Sequence, residues 1–194
     1  MNTLFPITVL PADLPSIPGL QYLPEFVTTP EELHLASAVD TGAWDTSWER
    51  RRQPFGANYS NNKKSTDEHR AIPKWADFLL DRLQLQGIAE TRFDQMLVNE
   101  YKPGQGIALH QDYPPFDRKV VSLSLLAPCV MEFRQPADGR RETLLLERRS
   151  LLVLSDEARY EWQHGIARRK SDRWKGVLIP RARRISITFR ILKK

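Results

Sequence analysis

His110-Gln111-Asp112 sets an imidazole and a carboxylate two residues apart, and His164 follows far downstream. Two histidines and one carboxylate form the ligand set that holds one face of a six-coordinate iron and leaves the other positions open for a cosubstrate and dioxygen. Side chains alternate along a strand, so His110 and Asp112 are expected to project from one face and grip one metal, with His164 closing the triad from another strand. Alone, an H-x-D pair equally fits ordinary surface polar residues.

A second group of residues near the C-terminus adds to the first. In Arg184-Ile185-Ser186-Ile187-Thr188-Phe189-Arg190-Ile191 the residues Arg184, Ser186, Thr188 and Arg190 share one face of a strand, and the apolar residues share the other. The apolar face is expected to pack against a second sheet. Two guanidiniums separated by two hydroxyls are costly on a folded face unless solvent or an anion answers them. A dicarboxylate would do so, because the arginine fork matches a carboxylate in bidentate fashion. The plainer reading is a solvent-facing edge strand. Asn99 and Tyr101, also two apart, offer an amide and a phenol in the same manner.

The elements that must carry these residues are mostly strands. After a proline-rich entry (Pro6, Pro11, Pro15, Pro18, Pro24), a helix is expected to start at Thr29-Pro30-Glu31-Glu32, with Thr29 as its cap, and to stop near Gly42. A second helix follows Pro73, with Trp75, Phe78, Leu79, Arg82 and Leu83 at helical spacing, and ends at Gly87. Short strands are expected over 93–101, 120–126, 130–134, 143–146, 151–154 and 184–192. The fold class is therefore α+β, mainly β, with a jelly roll as the expected core. At 194 residues one domain is expected, with an N-terminal extension to about residue 90 and a core from about 91 to 194.

Composition narrows the partners. The net charge is +5, and basic residues cluster at Arg50-Arg51-Arg52, Lys63-Lys64, Arg168-Arg169-Lys170 and Arg181 to Arg184. Such clusters suit a polyanion or, more plainly, a solvated surface. Cys129 is the only cysteine, so no intrachain disulfide can form, and its apolar setting suggests a buried thiol. No signal-peptide-like start and no run of transmembrane length is present, which suggests a cytoplasmic protein without membrane contact.

The ordered motifs Asn99-Glu100-Tyr101-Lys102-Pro103-Gly104, His110-Gln111-Asp112, Ala158-Arg159-Tyr160-x-Trp162-x-His164-Gly165 and Arg184-x-Ser186-x-Thr188-Phe189-Arg190 resemble the AlkB family of Fe(II)- and 2-oxoglutarate-dependent dioxygenases. The stretches Arg51-Arg52-Gln53-Pro54-Phe55-Gly56 and Pro103 to Ile107 look closer to its tRNA wobble-uridine-hydroxylating branch. The resemblance implies a double-stranded β-helix core with an N-terminal lid that recognises a nucleotide. It implies Fe(II) held by His110, Asp112 and His164, and O2 and 2-oxoglutarate as cosubstrates. Arg184 would pair with the distal carboxylate of 2-oxoglutarate, Arg190 would lie near its metal-side carboxylate, and Asn99 and Tyr101 would add hydrogen bonds. The expected reaction is oxidative dealkylation of a modified base in single-stranded or flipped-base DNA or RNA. Hydroxylation of a tRNA wobble uridine side chain, a protein substrate, and a catalytically silent nucleic-acid-binding module are the alternatives. No obligate protein partner is inferred. In the lid, Trp44, Trp48, Phe55 and Tyr59 mix with Arg50, Arg51 and Arg52, so Arg52, Phe55 and Tyr59 are candidates for substrate binding by stacking and phosphate contact. Members that repair methylated bases carry a second acidic residue two positions after the metal-ligating aspartate. Here that position is Pro114, which leaves Asp117 as the nearby acid.

Overall fold

The computed structural model describes residues 8–56 and 70–193. A 3-10 turn at Pro11–Asp13 sits in the proline-rich entry, followed by β1 (Leu20–Leu23), α1 (Thr29–Thr41), β2 (Arg52–Gly56) and α2 (Asp77–Leu85). The remaining elements are β3 (Gln95–Tyr101), β4 (Ile107–His110), β5 (Val120–Leu125), β6 (Cys129–Arg134), β7 (Arg141–Leu146), β8 (Leu151–Leu154), α3 (Asp156–Tyr160), β9 (Gln163–Ile166), β10 (Ser171–Trp174), β11 (Val177–Pro180) and β12 (Arg184–Arg190). One antiparallel sheet runs β1-β8-β5-β12-β3-β2, a second runs β4-β9-β6-β7, and β10 and β11 form a separate ribbon. Apolar residues of both sheets share one core, including Leu152 and Leu154 from the first and Phe133, Leu145 and Ile166 from the second. This is the jelly roll expected from the strand spacing.

The larger sheet is buried on both faces, and period-two alternation sorts its residues. Met96 and Val98 of β3, Val121, Leu123 and Leu125 of β5, and Ile185, Ile187 and Phe189 of β12 face a core completed by Leu35 and Val39 of α1 and Leu79, Leu80 and Leu83 of α2. The apolar face of β12 thus packs on the helix-side core, not on the second sheet as its sequence suggested. Nor is β12 an edge strand: it is paired with β3 over its whole length and with β5 from Ile185 to Phe189. Its polar residues therefore look inward, between the sheets. Each fully buried aliphatic side chain on the helix side contributes about 1.5–3 kcal/mol, which fixes the register of β12 firmly.

The first helix begins one residue earlier than its sequence suggests. Thr28 is the cap: its Oγ1 accepts from the Glu31 amide at 3.3 Å, and Glu31 accepts from the Thr28 amide at 2.8 Å. Glu32, left out of the cap, is fully buried and accepts from the Leu126 amide at 2.7 Å and from Arg148 Nε at 3.0 Å, with Arg149 3.6 Å away. That carboxylate anchors the turn after β5, where Leu126 holds a left-handed backbone with φ +73°. The second helix starts later than its sequence signals suggest: Trp75 lies in a 3-10 turn, Lys74–Ala76, and α2 carries Phe78, Leu79, Arg82 and Leu83, with Gly87 just past it at φ +69°. Among the described residues no helix is long and apolar enough to cross a membrane.

Candidate active site

His110 at the end of β4 and His164 on β9 are direct register partners, and their ring centroids are 4.5 Å apart. The two strands approach closely because glycines flank the pair. A Cβ on Gly106 would lie 2.2 Å from the Ile166 carbonyl oxygen, and one on Gly165 would lie 2.9 Å from that of Ile107. Asp112 is not placed by strand alternation as expected: β4 ends at His110, and Asp112 sits in the following loop. Two arginines hold it there. Arg190 donates through Nε (3.0 Å) and Nη2 (2.8 Å) to Asp112 Oδ1, and the buried Arg159 donates to the backbone carbonyls of Asp112 (2.9 Å), Tyr113 (2.8 Å) and Phe116 (3.3 Å). Asp112 Oδ2 then lies 3.5 Å from His164 Nε2.

The protonation states suit ligation. Burial alone would raise the Asp112 pKa, but Arg190, His164 and His110 outweigh it and bring it to about 2, so the carboxylate is ionised. Burial drives His164 down to about 4 against the pull of Asp112, so its imidazole is neutral at neutral pH and keeps a lone pair. His110 Nδ1 lies 2.9 Å from the Ala108 carbonyl oxygen, a contact that orients the ring and suits an N–H on that nitrogen. Among the described residues no group of three or more His, Cys, Asp or Glu side chains is set to hold a metal as it stands; Asp112 turns one oxygen to Arg190, and His110 turns one nitrogen to its own strand. The donors nonetheless fit Fe(II): two histidines and an ionised carboxylate whose Oδ2 is buried without a hydrogen-bond partner.

All three residues line one cavity between the sheets, which encloses about 630 Å³ of atom-free space including its open mouth. Its far end is basic. Arg184, 2% exposed, donates through Nη2 to Ser124 Oγ at 2.7 Å, and its Nε and Nη1 are buried with no hydrogen-bond partner. Its guanidinium sits 5.2 Å from the centre of the Tyr101 ring. The hydroxyls of Ser122, Ser186 and Thr188 form a triangle with sides of 3.0–3.5 Å in the cavity wall. Asn99 and Tyr101 also line the cavity, so all four residues expected around a dicarboxylate are brought together there.

The substrate candidates are dispersed. Arg52 pairs with Asp45 at 2.8 Å and lies over the exposed Trp48, while Phe55 packs edge-on against Trp75, and neither lines the cavity. Tyr59, Lys63, Lys64 and His69 lie outside the described residues. Asp117 does not line the cavity either, and Pro114 is exposed. Two contributors escaped the sequence reading. Arg159 shapes the loop beyond His110, and Arg50, neighbour of the candidate Arg52, reaches the cavity wall. The remaining histidine, His34, is exposed on α1, and Trp162 is buried in the core.

Comparison with known proteins agrees with this geometry. The profile of the 2OG-Fe(II) oxygenase superfamily matches residues 27–190. A protein of Arabidopsis thaliana named "Alkylated DNA repair protein ALKBH8 homolog" is 35% identical over 98% of this chain, which spans 62% of that relative. The Macaca fascicularis protein "tRNA (carboxymethyluridine(34)-5-O)-methyltransferase ALKBH8" is 37% identical over 80% of this chain but only 25% of its own length. The solved structure of OsALKBH1 superimposes with a TM-score of 0.69 at 20% identity, covering 89% of this chain and 98% of that one. With ordered motifs, jelly roll and profile in agreement, the chain belongs to the 2OG-Fe(II) oxygenase superfamily, as an AlkB-type member.

Proposed function

We propose that this protein is an Fe(II)- and 2-oxoglutarate-dependent dioxygenase that oxidatively dealkylates modified bases in nucleic acid. The observation that carries the proposal is Arg184, a buried guanidinium with two unpartnered nitrogens at the end of the cavity that His110, Asp112 and His164 line. A buried guanidinium with two unpartnered nitrogens is unfavourable until an anion meets it, so a carboxylate is favoured there.

His110, Asp112 and His164 would hold the iron, which when bound couples decarboxylation of 2-oxoglutarate to hydroxylation of a substrate C–H bond. Arg184 receives the distal carboxylate, with the Tyr101 ring beneath it and Asn99 and the Ser186 hydroxyl within the same wall. Arg190 holds Asp112 in its ionised form and adds positive charge for the second carboxylate. Leu97, Ile107, Val120, Met131, Leu152, Leu154 and Ile166 exclude water from the space between. Hydroxylating an N-methyl group gives a hemiaminal that releases formaldehyde.

The target is a base presented as a single strand or flipped from a duplex, with Trp48 and Arg52 at the surface for stacking and phosphate contact. A single buried cysteine and the absence of a membrane-spanning helix among the described residues suit a cytoplasmic setting. A second reading, hydroxylation of a tRNA wobble uridine side chain, is favoured by Pro114, which stands where repair-type members carry an acid. The name of the macaque relative also concerns a uridine of tRNA, although the reaction it names is methyl transfer. Incubation with Fe(II), ascorbate, 2-oxoglutarate and methylated DNA, methylated RNA or tRNA separates the two. Formaldehyde with loss of 14 mass units, about one CH2, supports dealkylation; a gain of about one oxygen atom in the base supports hydroxylation; succinate formed with neither substrate, or no turnover at all, counts against both. A catalytically silent module would bind oligonucleotide without consuming 2-oxoglutarate.

A further inference from the structure

Three consecutive arginines take three directions. Arg51 pairs with Glu100 at 2.6 Å and lies over Trp44, and Arg52 pairs with Asp45 at 2.8 Å and lies over Trp48. Arg50 enters the cavity. Its Nη1 donates to the Gly106 carbonyl oxygen at 2.7 Å, its guanidinium lies 5.1 Å from the centre of the Tyr101 ring, and its Nε is buried with no hydrogen-bond partner. Arg184 stands on that same ring at 5.2 Å with its own unpartnered nitrogens. Neither guanidinium has a carboxylate partner among the described residues, unlike Arg51, Arg52 and Arg190. Both cations lie about 5 Å from one ring and line one cavity, and a carboxylate, whose two oxygens offer about four lone-pair positions, can accept from two forks at once.

Arg50 differs from Arg184 in what carries it. Arg184 belongs to the central strand β12, whereas Arg50 belongs to the segment before β2, which touches the second sheet's approach at a few points. Gln105 Nε2 donates to the Glu49 carbonyl oxygen at 2.6 Å, and Arg168 pairs with Glu49 at 2.5 Å. The neighbouring Trp48 is 59% exposed, so the outward side of this segment is free for a polymer while Arg50 points the other way.

We infer that Arg50 is a second guanidinium for the carboxylate that Arg184 binds, so that cosubstrate binding docks segment 44–52 over the cavity. The inference rests on the dioxygenase reading. It makes the segment that carries Trp48 respond to the cosubstrate before any nucleic acid arrives, because the ligand bridges a strand in the sheet to a loop outside it.

The test is calorimetric titration of Mn(II)-loaded protein with 2-oxoglutarate, together with hydrogen exchange of residues 44–52. Wild type gains protection over 44–52 on binding; Arg50→Met loses that protection and binds about tenfold or more weakly, the size of one charge-assisted hydrogen bond. Should Arg50→Met fail to fold, Arg50→Lys serves, with an intermediate loss because a point charge replaces the stacked fork. Wild-type affinity and protection in the variant overturn the inference, as does a variant that keeps 2-oxoglutarate but loses single-stranded oligonucleotide, which would assign Arg50 to phosphate. Arg168→Ala loosens the same segment without altering the cavity's charge, and a loss in it equal to that of Arg50→Met would reduce Arg50 to a structural role and overturn the inference. Arg184→Met keeps the two readings apart: if it still binds 2-oxoglutarate normally, the dioxygenase reading fails, and if it loses binding while Arg50→Met does not, only the role of Arg50 fails.

Discussion

At the scale of residues, the site is built from charges that are either answered or deliberately exposed to a ligand. Asp112 is answered by Arg190; Arg184 is not answered by any acid among the described residues. Replacing Arg184 with Met is therefore expected to leave stability unchanged or raise it by about 1 kcal/mol, since a buried unpaired cation gives way to an apolar side chain of similar length, while 2-oxoglutarate binding is lost. Urea denaturation and calorimetric titration of the same sample check both halves, and a clear drop in stability would contradict the account of Arg184. His110→Ala is expected to abolish Mn(II) binding, read by the loss of free-ion depletion in electron paramagnetic resonance, whereas exposed His34→Ala is expected to bind as wild type does. The residue types of the proposed triad stand out in the sequence because iron chemistry favours two histidines and a carboxylate. Arg50 was not: nothing in Arg50-Arg51-Arg52 distinguishes three identical side chains whose partners Gly106, Glu100 and Asp45 are set by tertiary structure.

At the scale of elements, legibility followed burial. The six-residue and longer strands β3, β5, β6, β7 and β12 were foreseen, as was the wholly apolar four-residue β8. Of the other four-residue strands, β4 and β9 were expected only as carriers of His110 and His164, and β1, β10 and β11 were not expected, because so few residues give no period to read. The cap of α1 shows a different limit. Thr28 and Thr29 are each followed three residues later by a glutamate, so local rules allow either start, and the choice falls to Glu32, which Arg148 and Leu126 require inside. Glu31 is left to the cap and to Arg82, whose hydrogen bonds hold its pKa at about 2, below its ordinary 4.5. Its unfolded form binds a proton first as pH falls, so this contribution is complete above about pH 4.5 and disappears as pH falls toward 2. Glu31→Gln is expected to flatten the stability profile in that window, as followed by urea denaturation at stepped pH. Gly106→Ala is expected to cost about 1–3 kcal/mol by forcing β4 from β9, and to weaken Mn(II) binding with it.

At the scale of the whole molecule, a double sheet with the loop after β4 carries the proposed metal ligands and dicarboxylate wall, and basic residues cluster outside it. With a net charge of +5, affinity for single-stranded oligonucleotide is expected to fall with salt, with a log–log slope of about −0.7 for each phosphate neutralised; a slope of zero in filter binding would remove the polyanion from the reading. The double sheet has one more consequence, which concerns length. Arg184 and Arg190 are six positions apart on a single extended strand, roughly 20 Å between their backbones at about 3.3 Å per residue. Both side chains line the same cavity, so the strand sets how far apart they enter it. Hydrogen bonds to β3 and β5 on either side keep β12 from sliding or stretching to suit a different guest. The strand thus works as a ruler set by covalent geometry, and diacids one carbon shorter or longer than 2-oxoglutarate are expected to bind more weakly in calorimetric titration.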